Sequence, residues 1–408
     1  MSENILYDAV IVGGGPGGST AAAFLSGRGR KVLLLEKEHF PRDKTCGDAI
    51  SGKSLGILRE LKLENEVMKS DHGEVTGLTF SSPNGKEVTI PLRKSNEEGS
   101  KSYICRRMVY DNLLWKNAAK AADTHEGTEV IGVLRENGKI CGVKAKGADG
   151  QEFEYHGKIV IGADGVSSLV AREARGAEID PAHACLAHRA YYSGVKGMHG
   201  AIEIHFVKSI MPGYFWIFPL ENGLANVGIG MRMSDARKHN VNLQKAMQEM
   251  LATNPLFAER FKDAKMVSQM KAWSLPLGSK RRVVHADNVL LVGDAAGLVD
   301  PFSGEGIGNA MLSGRLAAQA ADEALAAGDT SAQFLSVYEK RLWDAIGAEL
   351  SLSYTMQKLG SVQWLLDLVV GKAASSEKAR EAIGGTFINT EAKKSYASPL
   401  FYLKLIFS

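Results

Sequence analysis

Three glycines, Gly13, Gly15 and Gly18, stand in G-x-G-x-x-G spacing directly after an apolar run at residues 9–12, and Glu36 ends a second apolar run at residues 32–35. Residues of these types at this spacing can hold a pyrophosphate and a ribose. The first glycine permits a tight turn, the second lets backbone approach phosphate oxygens, and the third lets a helix pack closely on the preceding strand. The Ala-rich stretch behind them reads as that helix, whose N-terminus offers free N–H groups and a positive dipole end. Glu36 is placed to accept hydrogen bonds from ribose hydroxyls. Glycines alone would also serve a structural turn. Strand, glycines, helix, strand and terminal acid in that order point to a dinucleotide.

A second group lies late in the chain. Asp294 follows the apolar run 289–292 in LLVGDAAG, and PFSGEGIGNAM then supplies Gly304, Gly306 and Gly308 before another Ala-rich helix. A carboxylate at a strand end can bind a polyol hydroxyl, and the helix start suits a phosphate or an electron-rich ring edge. A third group is PGYFWIFP, where strand alternation would put Tyr214, Trp216 and Phe218 on one face as apolar area for a chain-like substrate, or as ordinary sheet core. His183, Cys185 and His188 are close in sequence, but no paired second cluster follows, so no metal site is expected. Ser167-Ser168 sits in a turn-like segment with no locatable base, which leaves no serine nucleophile to assign.

The elements that must position these groups are legible in outline. Residues 75–80 and 86–92 read as strands around the turn SSPNG, residues 106–122 as a helix, and 128–145 as two strands around ENGK. Residues 183–232 are rich in aromatic and β-branched types and read as a second sheet, 240–261 as helical, and the chain from Ser331 as mostly helical. The expected fold class is α/β: a Rossmann-like nucleotide-binding domain with an inserted mixed β-sheet substrate domain and a helical C-terminal part. The nucleotide domain is drawn from residues 1–70, 106–175 and 281–330, the substrate domain from 71–105 and 176–280, and the C-terminal region spans 331–408.

Composition narrows the function classes. With 408 residues, 45% hydrophobic and 23% charged, the chain can build a large core, and a net charge of only +3 without a dense basic stretch argues against nucleic acid. The dispersed Cys46, Cys105, Cys141 and Cys185 suit a reducing cytoplasm better than a disulfide framework. The N-terminus has no signal-peptide layout, and no apolar run is long enough to span a bilayer. The terminal YASPLFYLKLIFS is apolar, aromatic and weakly basic, which fits either a last element packed on the body or a peripheral membrane contact.

The GGGPGG loop with Glu36, the middle IGADG segment and the late VGDAAG and PFSGEGIG segments resemble the flavoprotein fold of the p-hydroxybenzoate hydroxylases. More narrowly, FPRDKTCGD, RRMVYD and PGYFWIFP resemble the geranylgeranyl reductase family, which saturates double bonds of prenyl chains. The resemblance spans about residues 5 to 325. It implies that Gly18 and Glu36 bind the ADP half of FAD, that Cys46 and Gly47 lie against the flavin, and that Arg107 contacts the pyrophosphate region. Val130 would make a backbone contact on the adenine side, and Asp164 would touch FAD and nicotinamide or simply cap a turn. Asp294 would bind the ribityl chain, and Gly306 and Ile307 would present N–H groups to the pyrimidine edge and stabilise negative charge on the reduced ring. Cys46, Tyr214 and Trp216 are the catalytic candidates, the aromatics as the wall that aligns a prenyl substrate. The implied electron donor is NADPH, a ferredoxin or free reduced flavin, the last two acting as electron-transfer partners.

This chain departs from several relatives in reading SGEGIG where they have three glycines, which puts Glu305 near the flavin. Flavin halogenases share a similar aromatic element, with tryptophan where Tyr214 stands and isoleucine at Phe218. The competing reading is therefore an FAD-dependent monooxygenase or halogenase acting on an aromatic or polyketide substrate, and a third is a non-catalytic flavin-binding or lipid-carrier protein. Cys46-Gly47-Asp48 favours the reductase.

Overall fold

The computed structural model describes residues 5–91 and 103–380. Its first sheet is centred on the strand Leu6–Val12, which pairs in parallel with Val32–Leu35 on one side and with Glu152–Gly162 on the other. Asp123–His125 extends it beyond Val32–Leu35, and Val289–Leu291 beyond Glu152–Gly162. Three distant parts of the chain thus meet in one sheet, and every residue of Val32–Leu35 is buried, as the continuous apolar run requires of a strand covered on both faces. The antiparallel pair Thr128–Glu136 and Lys139–Gly147 turns at Asn137-Gly138, both with positive φ, the backbone a two-residue hairpin loop favours.

Helix Pro16–Ser26 starts on a proline and has no side-chain cap, so its first amides stay available at the glycine loop. It crosses helix Ile307–Ala327 backbone to backbone. A Cβ on Gly17 would meet the Ala310 carbonyl oxygen at 3.2 Å, and one on Gly314 would run into the Gly17 carbonyl. Glycine at these crossing points sets the two helix starts, and with them the early and late glycine segments, side by side.

Among the described residues the second sheet has eight strands, in the order Lys265–Met266, Ala184–Ser193, Leu224–Arg232, Tyr214–Pro219, Ala201–His205, Gly77–Ser81, Glu87–Pro91, with Lys271–Pro276 joining Ala184–Ser193. It is mixed, because Ala201–His205 and Gly77–Ser81 run parallel while the other pairs are antiparallel. Phe215, Ile217 and Val227 pack from one face against Met247, Met250 and Phe257. The opposite face turns toward the first sheet's loops. The helical pattern expected over 240–261 divides into Leu243–Thr253 and Ala258–Phe261, because Pro255 cannot continue a helix.

The described part of the C-terminal region, up to Arg380, is helical, as expected. Ala332–Gly360 packs Leu335, Tyr338, Leu342 and Ile346 into the first sheet's core, and Gln363–Ser375 lies against Glu87–Pro91. Among the described residues, no helix is long and apolar enough to cross a membrane. The terminal YASPLFYLKLIFS lies outside the described residues.

Candidate active site

The early glycine loop is shaped by contacts that exclude side chains. Gly13 has φ +101°, and a Cβ there would collide with the Ala163 carbonyl; a Cβ on Gly18 would collide with the carbonyl of Gly13. Gly15 differs: a Cβ there would meet only Arg42 Nη2, at 3.8 Å, so its backbone faces open space beside a guanidinium. Glu36, buried at the end of its strand, accepts the Gly14 N–H at 2.9 Å and the Glu38 N–H at 3.1 Å. Two residues before Val130, the Thr128 N–H bonds the Glu36 carbonyl at 2.9 Å, which brings that strand to the same acid.

Arg42 was not singled out by the sequence, and it changes the reading of Arg107. The Arg107 guanidinium is buried in a bidentate pair with Asp111, at 2.6 and 2.7 Å, and its charge acts on the Cys46 sulfur. Arg42 shares Asp111 Oδ2 with Arg107, at 2.6 Å, and comes within 3.9 Å of Glu36. Of the two guanidiniums, Arg42 opens onto the glycine loop, while Arg107 sits between a carboxylate and a thiol. Burial pushes the Cys46 thiol up, against the Arg107 charge, which favours the thiolate.

Two residues beyond Cys46, Asp48 is fully buried with φ +65°, a left-handed backbone that aspartate tolerates better than most side chains. Its Oδ2 accepts from the Tyr191 hydroxyl at 2.8 Å and from Asn226 Nδ2 at 2.7 Å, and its Oδ1 from the Arg107 N–H at 3.3 Å. Burial pushes this carboxyl up to about 6, opposed by Arg189 and these donors. Asn226 also bonds the Cys46 carbonyl at 2.7 Å and accepts the Trp216 indole N–H at 2.9 Å. One amide therefore ties the Cys46 loop to the aromatic strand.

Strand register explains that convergence. Tyr214, Trp216 and Phe218 share a face, as expected, with ring centroids 6.0 and 6.3 Å apart. Opposite them on Leu224–Arg232 stand Gly230, Gly228 and Asn226, and beyond those Ala187, Arg189 and Tyr191. Arg189 is fully buried, with its guanidinium 4.1 Å from the Tyr191 ring centroid and bonded to Asp43 at 2.8 Å. The aromatic strip closes on the loops of the first domain. A Cβ on Gly47 would meet the Phe218 ring at 2.9 Å, and the Tyr214 hydroxyl donates to the Ser303 carbonyl at 3.3 Å. The glycines across from Trp216 make room for its indole, which gives a graded test. Gly228→Ala places a methyl inside the ring's volume and is expected to lower the denaturation midpoint by the equivalent of about 1–3 kcal/mol. Gly230→Ala, whose Cβ would meet the ring at an ordinary 3.7 Å, is expected to leave the midpoint nearly unchanged.

In the late segment, Asp294 lies in the tight turn Gly293–Ala296 and pairs with Lys44 at 3.2 Å. A Cβ on Gly306 would lie 3.9 Å from Asp294 Oδ1, so both face one space, and Ile307 is buried as the first residue of its helix. Glu305 does not point away into solvent. Its Oε1 accepts the Gly308 N–H at 2.5 Å and the Ser51 hydroxyl at 3.2 Å. Burial raises the Glu305 carboxyl, while Lys53 and the Gly308 N–H oppose the rise.

The Asp164 carboxylate takes the Ser168 hydroxyl at 2.5 Å and the Val170 N–H at 3.1 Å, capping helix Leu169–Arg175; only its backbone N–H borders Gly13. Among the described residues no histidine, cysteine and carboxylate group could hold a metal. Cys185 and His188 are an odd number of residues apart on one strand, so they face opposite sides of the sheet.

A model of the FAD binding domain matches residues 6–342. Digeranylgeranylglycerophospholipid reductase 1 of Methanococcoides burtonii is 33% identical over 350 residues, 85% of this chain and 81% of that protein. A solved structure of a geranylgeranyl bacteriochlorophyll reductase-like protein from Thermoplasma acidophilum is similar at TM-score 0.80 and 27% identity, covering 95% of this chain and 98% of that one. The flavin-dependent brominase Bmp2 is similar at TM-score 0.74, covering 95% of each chain; at 22% identity this likeness is one of fold alone.

Proposed function

This chain belongs to the FAD-binding-domain family of the digeranylgeranylglycerophospholipid reductases, and we propose that it uses FAD to reduce carbon–carbon double bonds of an isoprenoid chain. The described residues fit that cofactor. The cradle is open at Gly15 beside Arg42, the first amides of Pro16–Ser26 are uncapped, Glu36 is fixed at the strand end, and Asp294 and Gly306 border one space. We assign the pyrophosphate contact to Arg42 and leave Arg107 to Cys46. Val130 remains our candidate on the adenine side, and Asp164 is a candidate through its backbone alone.

Arg42, Glu36 and Asp294 would hold FAD here, and its reduced form would supply the hydride for one alkene carbon. The other carbon needs a proton, and Cys46 is the acid this site offers. The thiolate it leaves meets the Arg107 guanidinium and the Asp48 N–H. Hydride and proton together saturate one double bond with charge balanced. An isolated alkene is a weak electrophile, so alignment carries much of the rate. Tyr214, Trp216 and Phe218 supply the apolar wall, and its closure on Gly47 and Ser303 is the observation that carries this reading. A prenyl lipid resides in a membrane, which supports peripheral contact with the membrane surface, and NADPH, a ferredoxin or free reduced flavin would restore the reduced cofactor.

The test needs no physiological donor. Dithionite-reduced enzyme mixed anaerobically with a geranylgeranyl lipid is expected to reoxidise its flavin and yield product heavier by two hydrogens. Flavin that stays reduced until oxygen is admitted would overturn the reaction and point to an oxygen-dependent enzyme.

A further inference from the structure

Helix Ile307–Ala327 has an acid where a flavin reductase would be expected to keep an open positive end. The N-terminus of a helix carries roughly half a positive charge, and free amides there favour an anionic reduced ring. Here the Gly308 N–H is taken by Glu305 Oε1, and Asp300, buried five residues earlier, holds the turn through the N–H groups of Phe302 and Ser303 and the Ser303 hydroxyl. The neighbouring cations offset these two only in part, because the charge of Lys53 acts on Glu305 but is shared with other partners. Lys44 pairs with Asp294, and Lys53 donates to Asn309 at 2.6 Å and pairs with Glu349 at 3.1 Å. Asp300 and Glu305 are left on hydrogen bonds, without an ion pair among the described residues.

We propose that Glu305, backed by Asp300, gives bound FAD a low reduction potential by setting negative charge beside the positive end of helix Ile307–Ala327. The step rests on the FAD-dependent reading of the site and deepens it. A carboxylate beside the helix start opposes the charge that reduction adds to the ring, so oxidised FAD is bound in preference to reduced FAD. The reduced cofactor is then a stronger hydride donor, which an unactivated alkene demands. Glu305 acts here as a tuning residue and does not touch the substrate.

The potential of bound FAD is measured by anaerobic spectroelectrochemical titration of the holoenzyme, without substrate, in wild type and Glu305→Gln. The amide keeps an oxygen for the Gly308 N–H and removes the charge. The variant is expected to prefer reduced FAD about tenfold more than wild type does, a rise of about 30 mV for a two-electron couple. The gap should widen with pH, because burial raises the Glu305 carboxyl and its charged form grows as pH rises; Lys53, Asp300 and, through Lys53, Glu349 are the charged groups that face it. Should Glu305→Gln lose its flavin, Glu305→Gly carries the same measurement. An unchanged or lowered potential overturns the inference and leaves prenyl reduction standing. Wild-type flavin that prenyl lipid cannot reoxidise overturns the reaction, and the potential shift survives it.

Discussion

Asp111→Asn is expected to lose about 3–5 kcal/mol of stability and to purify with little FAD, as read from the denaturant midpoint and the flavin absorbance. The side chain is wholly buried and neutralises two guanidiniums at once, Arg107 through a bidentate pair and Arg42 through a single bond at 2.6 Å. An asparagine keeps the shape and leaves Arg107 without a counter-charge in the interior and Arg42 with only Glu36, 3.9 Å away. Burial alone would raise the Asp111 carboxyl; the Arg107 and Arg42 charges outweigh it and hold it below the ordinary range. Its stabilising contribution is therefore complete above the unfolded value of about 4 and disappears as pH falls through the lower folded value. The deficit of the variant should accordingly shrink below about pH 4. The loss of FAD follows from Arg42, which would no longer be held beside Gly15. Adding Arg107→Gln to Asp111→Asn should recover part of the stability, because the second change removes one of the stranded charges. Equal losses in the single and double variants would show that the cluster is not coupled.

The parts of this site visible in the sequence are those made by neighbouring residues. Gly13, Gly15 and Gly18 act within one loop, Glu36 ends the next strand, and the alternation that puts Tyr214, Trp216 and Phe218 on one face is a property of any extended chain. The inserted sheet was legible for the same reason, from alternating segments and turn residues. What escaped depends on which strand lies beside which. Asn226 reaches Cys46 because Leu224–Arg232 pairs with Tyr214–Pro219 in a register that sets Asn226 opposite Phe218, and one residue of slip would turn it away. Tyr191 and Arg189 join for the same cause one strand further on. Asp48 was visible only as part of a motif; that it is a buried acid held by three donors is a tertiary fact. Likewise, the resemblance named Arg107 alone for the pyrophosphate region, and only the tertiary structure sets Arg42 beside Gly15. Asp164 lay between a cofactor contact and a turn cap because both roles use the same Gly-Ala-Asp-Gly backbone. The direction of its carboxylate, toward Ser168, decides what the side chain does.

Cys46→Ser, with FAD content intact, is expected to slow anaerobic reoxidation of reduced flavin by prenyl lipid by about 10²–10⁴-fold, the usual worth of a positioned general acid. Burial raises the Cys46 thiol, so it keeps its proton at neutral pH and can give it to the carbon that hydride does not attack. Arg107 and the Asp48 N–H then face the thiolate, and an alcohol, being a far weaker acid, cannot use them to the same extent. Asp48 adds a signature that a packing defect would not. Its carboxyl is pushed up to about 6, and its ionised form raises the Cys46 thiol further. As pH rises through about 6, Asp48 acquires charge, Cys46 becomes the weaker acid, and the wild-type single-turnover rate should step down to a plateau. The step should be absent in Cys46→Ser, whose slower rate no longer depends on that proton. A serine variant that keeps both the wild-type rate and the step would remove Cys46 from the reaction and pass the proton to another group on the same face, of which the Tyr214 hydroxyl, bonded to the Ser303 carbonyl, is the first to examine.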